Sequence, residues 1–206
     1  MLGLPSTTEV GRRIPKEAFY GHLKVSAALR QSFIDDVECF VVANSIKTST
    51  TGIPDGERVH EVLVVQVALK ARRVPEKVLV LVAQANPHKL LFVCTRDGEA
   101  CLAVMLKRLV VGPWRPLDDL ALDVSAGSID AVWDSLASQV AYGDAGSGAE
   151  TVEERFEAGS RLKVLRDELA RVEARGRKEQ QVARKNALFN KVKELKRQIA
   201  AIEEGK

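Results

Sequence analysis

Two sets of side chains in this sequence could do chemistry. The first is four amines and a hydroxyl at the ends of predicted elements: Lys16, Lys47, Thr50, Lys70 and Lys89. A restriction-type nuclease would place such a lysine on a strand ending in Glu-x-Lys, beside carboxylates that hold a divalent metal. Lys70 does end a predicted strand, but Ala68 stands where the Glu would be. Asp35, Asp36, Glu38 and Glu61 lack the spacing. The second set is a basic run, Arg171, Arg175, Arg177, Lys178, Arg184 and Lys185, set against Glu173 and Glu179. A cluster of this kind can contact phosphates without reading bases. A solvated helix face is the plainer explanation of a charge run, and no aromatic residue interleaves this one for base stacking.

Other chemistries have less support. His22, His60 and His88 are scattered, and Cys39, Cys94 and Cys101 form no CxxC pair, so neither a metal site nor a cofactor is expected. The three cysteines fall in predicted strands, where buried reduced thiols are the ordinary outcome. The polar loop from Lys47 to Gly56 could cradle a phosphate on backbone N–H groups, but it lacks the P-loop pattern and reads more simply as a hairpin loop. The chain therefore reads as non-enzymatic, with a divergent nucleic-acid-processing enzyme, such as a metal-dependent nuclease, as the alternative.

These side chains need a scaffold, and the patterning supplies one. At 206 residues with 46% apolar content, the chain has room for one domain and an appendage; a formal charge of +3 does not by itself point to nucleic acid. Val62–Leu69 is almost continuously apolar, as expected of a central strand covered on both faces. A helix follows over about Pro75–Ala85, opened by Pro75 and stopped by Asn86-Pro87. Leu90–Cys94 and Cys101–Leu106 read as a hairpin around Asp97-Gly98. Residues 1–14 read as irregular, Pro15–Asp35 as one helix, Cys39–Ile46 as the first strand, the stretch after Leu106 as a connector, and Ile129–Ala141 as an amphipathic helix. The expected class is an α/β (α+β) body of order α-β-β-α-β-β-α. No segment approaches the ~20 apolar residues of a membrane helix, and no signal peptide follows Met1, so a cytoplasmic protein is expected.

Residues 1–142 form the expected body, and 143–150 a flexible glycine-rich linker. The tail, 151–206, carries two heptad seams: Leu162, Leu165, Leu169 and Val172, then Leu188, Val192, Leu195, Ile199 and Ile202. The seams are out of phase, and Gly176, Glu179 and Ala183 occupy the stripe between them. A break around Arg175–Gln181 and an antiparallel helical hairpin follow from that mismatch. One long helix that pairs with a second copy is the alternative, which leaves a homodimer through the tail open.

Several stretches together carry a family resemblance. They are Leu4-Pro-Ser-Thr-Thr-Glu-Val10 with Arg13-Ile-Pro-Lys-Glu-Ala-Phe-Tyr20, Ala43-Asn-Ser-Ile-Lys-Thr-Ser-Thr50, Asn86-Pro-His-Lys-Leu-Leu-Phe-Val93, Gly127-Ser-Ile-Asp-Ala-Val-Trp133, and Lys178-Glu-Gln-Gln181 with Arg184-Lys185. Across nearly its whole length the chain resembles a bacterial family of unknown function, domain of unknown function number four-three-nine-one. The resemblance implies genes beside the helicases and DNA methyltransferases of restriction-like defence systems. From it follows the expectation of an accessory subunit that binds a larger DNA-processing protein, a helicase or methyltransferase, and nucleic acid through the basic run.

Overall fold

The computed structural model describes residues 2–21, 25–146 and 150–204. By internal contacts the chain divides into residues 1–152 and 153–206.

The first unit is built on a mixed seven-stranded sheet. Its strands are β1 (Glu9–Ile14), β2 (Val37–Ile46), β3 (Val62–Leu69), β4 (Lys89–Arg96), β5 (Glu99–Met105), β6 (Leu109–Val111) and β7 (Arg115–Pro116). The order is β1-β2-β3-β4-β5-β6, with β7 also paired to β5. Only β3 and β4 are parallel, and the helix α4 (Glu76–Gln84) crosses between them. Such a crossover is what parallel neighbours require.

The continuous apolar run of β3 has the expected cause. Val62 and Val64 pack on one face with Leu91, Val93 and α5 (Ile129–Tyr142), whose Ile129, Val132, Trp133 and Leu136 are fully buried. Val65 and Val67 pack on the other face with Phe92, with Val78, Leu79 and Val82 of α4, and with Phe33. Trp133 is thus a packing anchor. The β4–β5 turn is Asp97-Gly98, with φ of +49° and +80°, the left-handed pair that a two-residue hairpin loop uses.

Three expectations fail, each for a local reason. Residues 1–14 are not irregular: Ser6–Thr8 is a 3-10 turn, and β1 pairs with β2 at the sheet edge. An edge strand held by backbone pairing with exposed Glu9, Arg12 and Arg13 shows no apolar alternation, and Gly11, at φ +63°, sits in a bulge. The single helix over Pro15–Asp35 is two, α1 (Glu17–Tyr20) and α2 (Ala27–Asp35); residues 22–24 lie outside the described residues. Ser26 starts α2 afresh, its Oγ accepting the Leu29 N–H at 3.2 Å. Both helices place aromatic rings on one strand residue, with Phe19 4.9 Å and Phe33 6.0 Å from the Phe40 ring. The connector after Leu106 contains β6 and β7, segments too short to carry a legible period.

The β2–β3 loop holds a short helix, α3 (Thr48–Thr51), and is latched to α5 by one carboxylate. Asp130 accepts backbone N–H groups from Glu57 at 2.9 Å, Arg58 at 3.1 Å and Val59 at 2.7 Å. Gly56 is required beside it, since a Cβ there would lie 2.6 Å from Asp130 Oδ1. Burial opposes ionisation of Asp130, but the three N–H donors and the Arg58 guanidinium outweigh it and hold its pKa below the usual carboxylate value. A carboxylate depressed on folding stabilises above its unfolded pKa, and that contribution is lost as pH falls through the lower folded value. Asp130→Asn is therefore expected to cost about 1–2 kcal/mol at pH 7 and less at pH 3. Urea unfolding at the two pH values checks the convergence.

Of the expected linker, residues 147–149 lie outside the described residues, and Gly143 caps the C-terminus of α5. The tail is an antiparallel hairpin of α6 (Val152–Lys178) and α7 (Val182–Glu204). Leu165, Val172 and Leu195 are buried in its seam, flanked by Leu169, Leu188, Val192, Ile199 and Ile202. The break falls at residues 179–181, inside the expected window. Gly176 lies on the seam, where an added Cβ would sit 3.9 Å from Leu188 Cβ, an ordinary contact. Gly176→Ala is expected to raise the thermal midpoint of the hairpin, since alanine is favoured by up to about 1 kcal/mol in a helix.

Candidate nucleic-acid interface

The hairpin gathers the basic run at one end. Arg171, Arg175, Arg177 and Lys178 occupy the last turns of α6, and Arg184 and Lys185 the first turn of α7. Along the shaft, three cations are tied across the helices: Arg166 to Glu203 at 2.6 Å, Lys191 to Glu168 at 3.2 Å and Lys196 to Glu173 at 3.0 Å. At the tip this pattern stops. Among the described residues, Arg175, Arg177, Lys178, Arg184 and Lys185 pair with no carboxylate. Of the two acids nearby, Glu173 is taken by Lys196, and Glu179 accepts the Gln181 N–H at 2.9 Å. A hollow of about 490 Å³ lies there, lined by Arg175, Lys178, Glu179, Arg184, Ala187 and Leu188.

Helix electrostatics separate the ordinary cations from the informative ones. Arg175, Arg177 and Lys178 sit at the negative end of α6, where cations stabilise the helix. Arg184 and Lys185 sit at the positive end of α7, whose first turn holds no acid. Cations there are unfavourable for the helix, so helix stability does not account for them. No aromatic residue interleaves the run itself, but one lies just beyond it. Phe189, one turn beyond Lys185, is 69% exposed. Only the hairpin geometry turns its ring away from the seam, since position 189 directly follows the seam residue Leu188.

The other candidate set divides. The ladder pairs Ile46 with Val62 at one end of β2–β3 and Val37 with Leu69 at the other, roughly 23 Å apart at ~3.3 Å per residue. Lys16 and Lys70 are at the Val37–Leu69 end. Lys16 Nζ donates to Val37 O at 2.9 Å, and Lys70 Nζ to Ile34 O at 2.8 Å. Lys47, Thr50 and Lys89 are at the Ile46–Val62 end. There Thr50 Oγ1 accepts the Lys47 N–H at 3.1 Å and donates to Ser45 O at 2.8 Å, which closes the first turn of α3. The Lys89 ammonium lies 5.0 Å from the centre of the Trp133 ring.

Strand register builds one polar cluster at this end that patterning missed. Because Val62 pairs with both Ile46 and Lys89, Glu61 falls between the residues that flank those partners. Its Oε1 accepts from Ser45 Oγ and lies 3.5 Å from Lys47 Nζ, and its Oε2 lies 3.6 Å from His88 Nε2. Ser45 and Lys47 are distant in sequence from Glu61 and His88, and the four follow no motif, so only the ladder could reveal the cluster. Both carboxylate oxygens are engaged within the chain, which makes the cluster a clasp for the adjoining ends of β2, β3 and β4. Among the described residues, no group of three or more His, Cys, Asp or Glu could hold a metal ion. No helix among them is long and apolar enough to cross a membrane.

No curated protein and no solved structure matches the chain. A family model described as Domain of unknown function (DUF4391) matches residues 2–199, which include the sheet, its helices, α6, the basic tip and α7 as far as residue 199. The chain belongs to this domain-of-unknown-function family.

Proposed function

We propose that the protein is a non-enzymatic accessory subunit of a bacterial DNA-processing assembly of the restriction or defence kind. In this reading it acts in the cytoplasm. The hairpin tip contacts nucleic-acid phosphates, and the α/β unit docks a larger helicase- or methyltransferase-type partner. One observation carries the phosphate reading: five basic side chains stand together at the tip with no acidic partner among the described residues, whereas Arg166, Lys191 and Lys196 of the shaft bridge to acids of the facing helix. Phosphates would supply the missing anions, and the release of their counterions would make binding salt-dependent. The partner half of the reading rests on the family resemblance.

Titration of the full chain with a labelled DNA duplex at low salt tests the phosphate contact. Saturable binding that weakens steeply as salt rises supports it, and absence of binding at the lowest salt overturns it. Native-level co-purification with mass spectrometry tests the accessory role; recovery of this chain alone counts against it. The alternative, a metal-dependent nuclease, has less support, because its five candidate residues divide between opposite ends of the sheet.

A further inference from the structure

The exposed face of α7 beside the basic tip has a composition that phosphate contact alone does not explain. Lys185, Phe189 and Lys193 follow one another at intervals of four residues, so they lie on one side of the helix, with the two lysines about 12 Å apart along its axis. Val182, a heptad before Phe189, continues the line. Phe189 is 69% and Val182 73% exposed, while Leu188, Val192 and Leu195 turn toward α6. A single exposed apolar residue is commonplace. An aromatic ring framed by two lysines that pair with no carboxylate among the described residues is a more specific arrangement.

Charge decides among occupants. A second copy laid on this face in antiparallel register would bring lysines against lysines around the paired rings, an arrangement that like-charge repulsion opposes. A polyanion matches the charge. Within polyanions, a duplex hides its base faces in its own stack, whereas a single strand offers them. We propose that this face of α7 binds single-stranded nucleic acid, with Phe189 stacking on a base and Lys185 and Lys193 holding flanking phosphates. The proposal rests on the phosphate-binding reading of the tip and names the form of nucleic acid that the tip prefers.

The test compares the full chain with its Phe189→Ala and Phe189→Trp variants. Each is titrated at low salt with labelled oligothymidylate and with a duplex of equal length, and the oligomeric state of each is followed by sedimentation. Phe189 is exposed, so the alanine variant should keep the helix content of the original. Tighter binding of the single strand, a loss on the order of 5- to 150-fold with Phe189→Ala, retention with Phe189→Trp and an unchanged duplex affinity are expected. If the single-strand affinity ignores Phe189→Ala, or if both probes weaken equally, the stacking proposal fails while phosphate binding stands. If neither probe binds, the phosphate reading fails and this proposal falls with it. A dimer that Phe189→Ala dissociates would show that a second copy covers the face, and would overturn the proposal.

Discussion

Replacing Arg175, Lys178, Arg184 and Lys185 together with alanine is expected to lower duplex affinity by about one order of magnitude per lost contact at 0.1 M salt. The slope of log affinity against log salt should flatten by about 3 to 4, because each neutralised phosphate contributes ~0.9 to that slope. These four line the hollow at the tip or begin α7, and none forms an ion pair among the described residues. Their loss therefore breaks no bridge. Removing Arg184 and Lys185 relieves an unfavourable pairing of cations with the positive end of α7, whereas removing Arg175 and Lys178 forfeits a favourable one at the end of α6. The two effects oppose each other, so helix content should hold. Fluorescence anisotropy across a salt series reads both quantities. A variant that binds as tightly as the original, with the same slope, would assign the tip to solvent or to a protein partner.

Trp133→Ala should have the largest effect on stability. Trp133 is fully buried on α5, against the face of the sheet that carries Val62, Val64, Leu91 and Val93. Truncating a buried Trp typically costs 3–5 kcal/mol, the lost transfer energy plus the cavity left behind. That is a large share of the 5–15 kcal/mol that keeps a typical domain folded. The Lys89 ammonium would also lose the ring it lies over. Urea unfolding should show a lower midpoint for Trp133→Ala and a smaller loss for Trp133→Phe, which keeps a ring in the site. An unchanged midpoint for the alanine variant would mean that α5 contributes little to the first unit.

The parts legible before the structure were those where composition maps directly onto burial. Val62–Leu69 read as a strand covered on both faces, because eight nearly uninterrupted apolar residues leave no side for water, and its bounds are those observed. Asp97-Gly98 marked its hairpin because few residue pairs accept two successive left-handed conformations. The phase slip between the two heptad seams marked the fold-back of the tail, because a helix has a fixed period and cannot keep two stripes on one side. The basic run was legible as a cluster because residues close in sequence on either side of a tight fold-back stay close in space.

What remained hidden depended on backbone pairing and on the direction of side chains. β1 was invisible because hydrogen bonds to β2 hold it, and those bonds leave no trace in side-chain pattern. The clasp of Ser45, Lys47, Glu61 and His88 depends on which rows of β2, β3 and β4 stand opposite one another, and register is set by the whole sheet. The sequence by itself determined the four central strands β2 to β5, the hairpin tail and the positive charge of its tip, because these follow from local pattern. Only the tertiary structure decided which of those charges are neutralised and that Phe189 faces outward beside the unneutralised ones, because both depend on how α6 and α7 pack against each other.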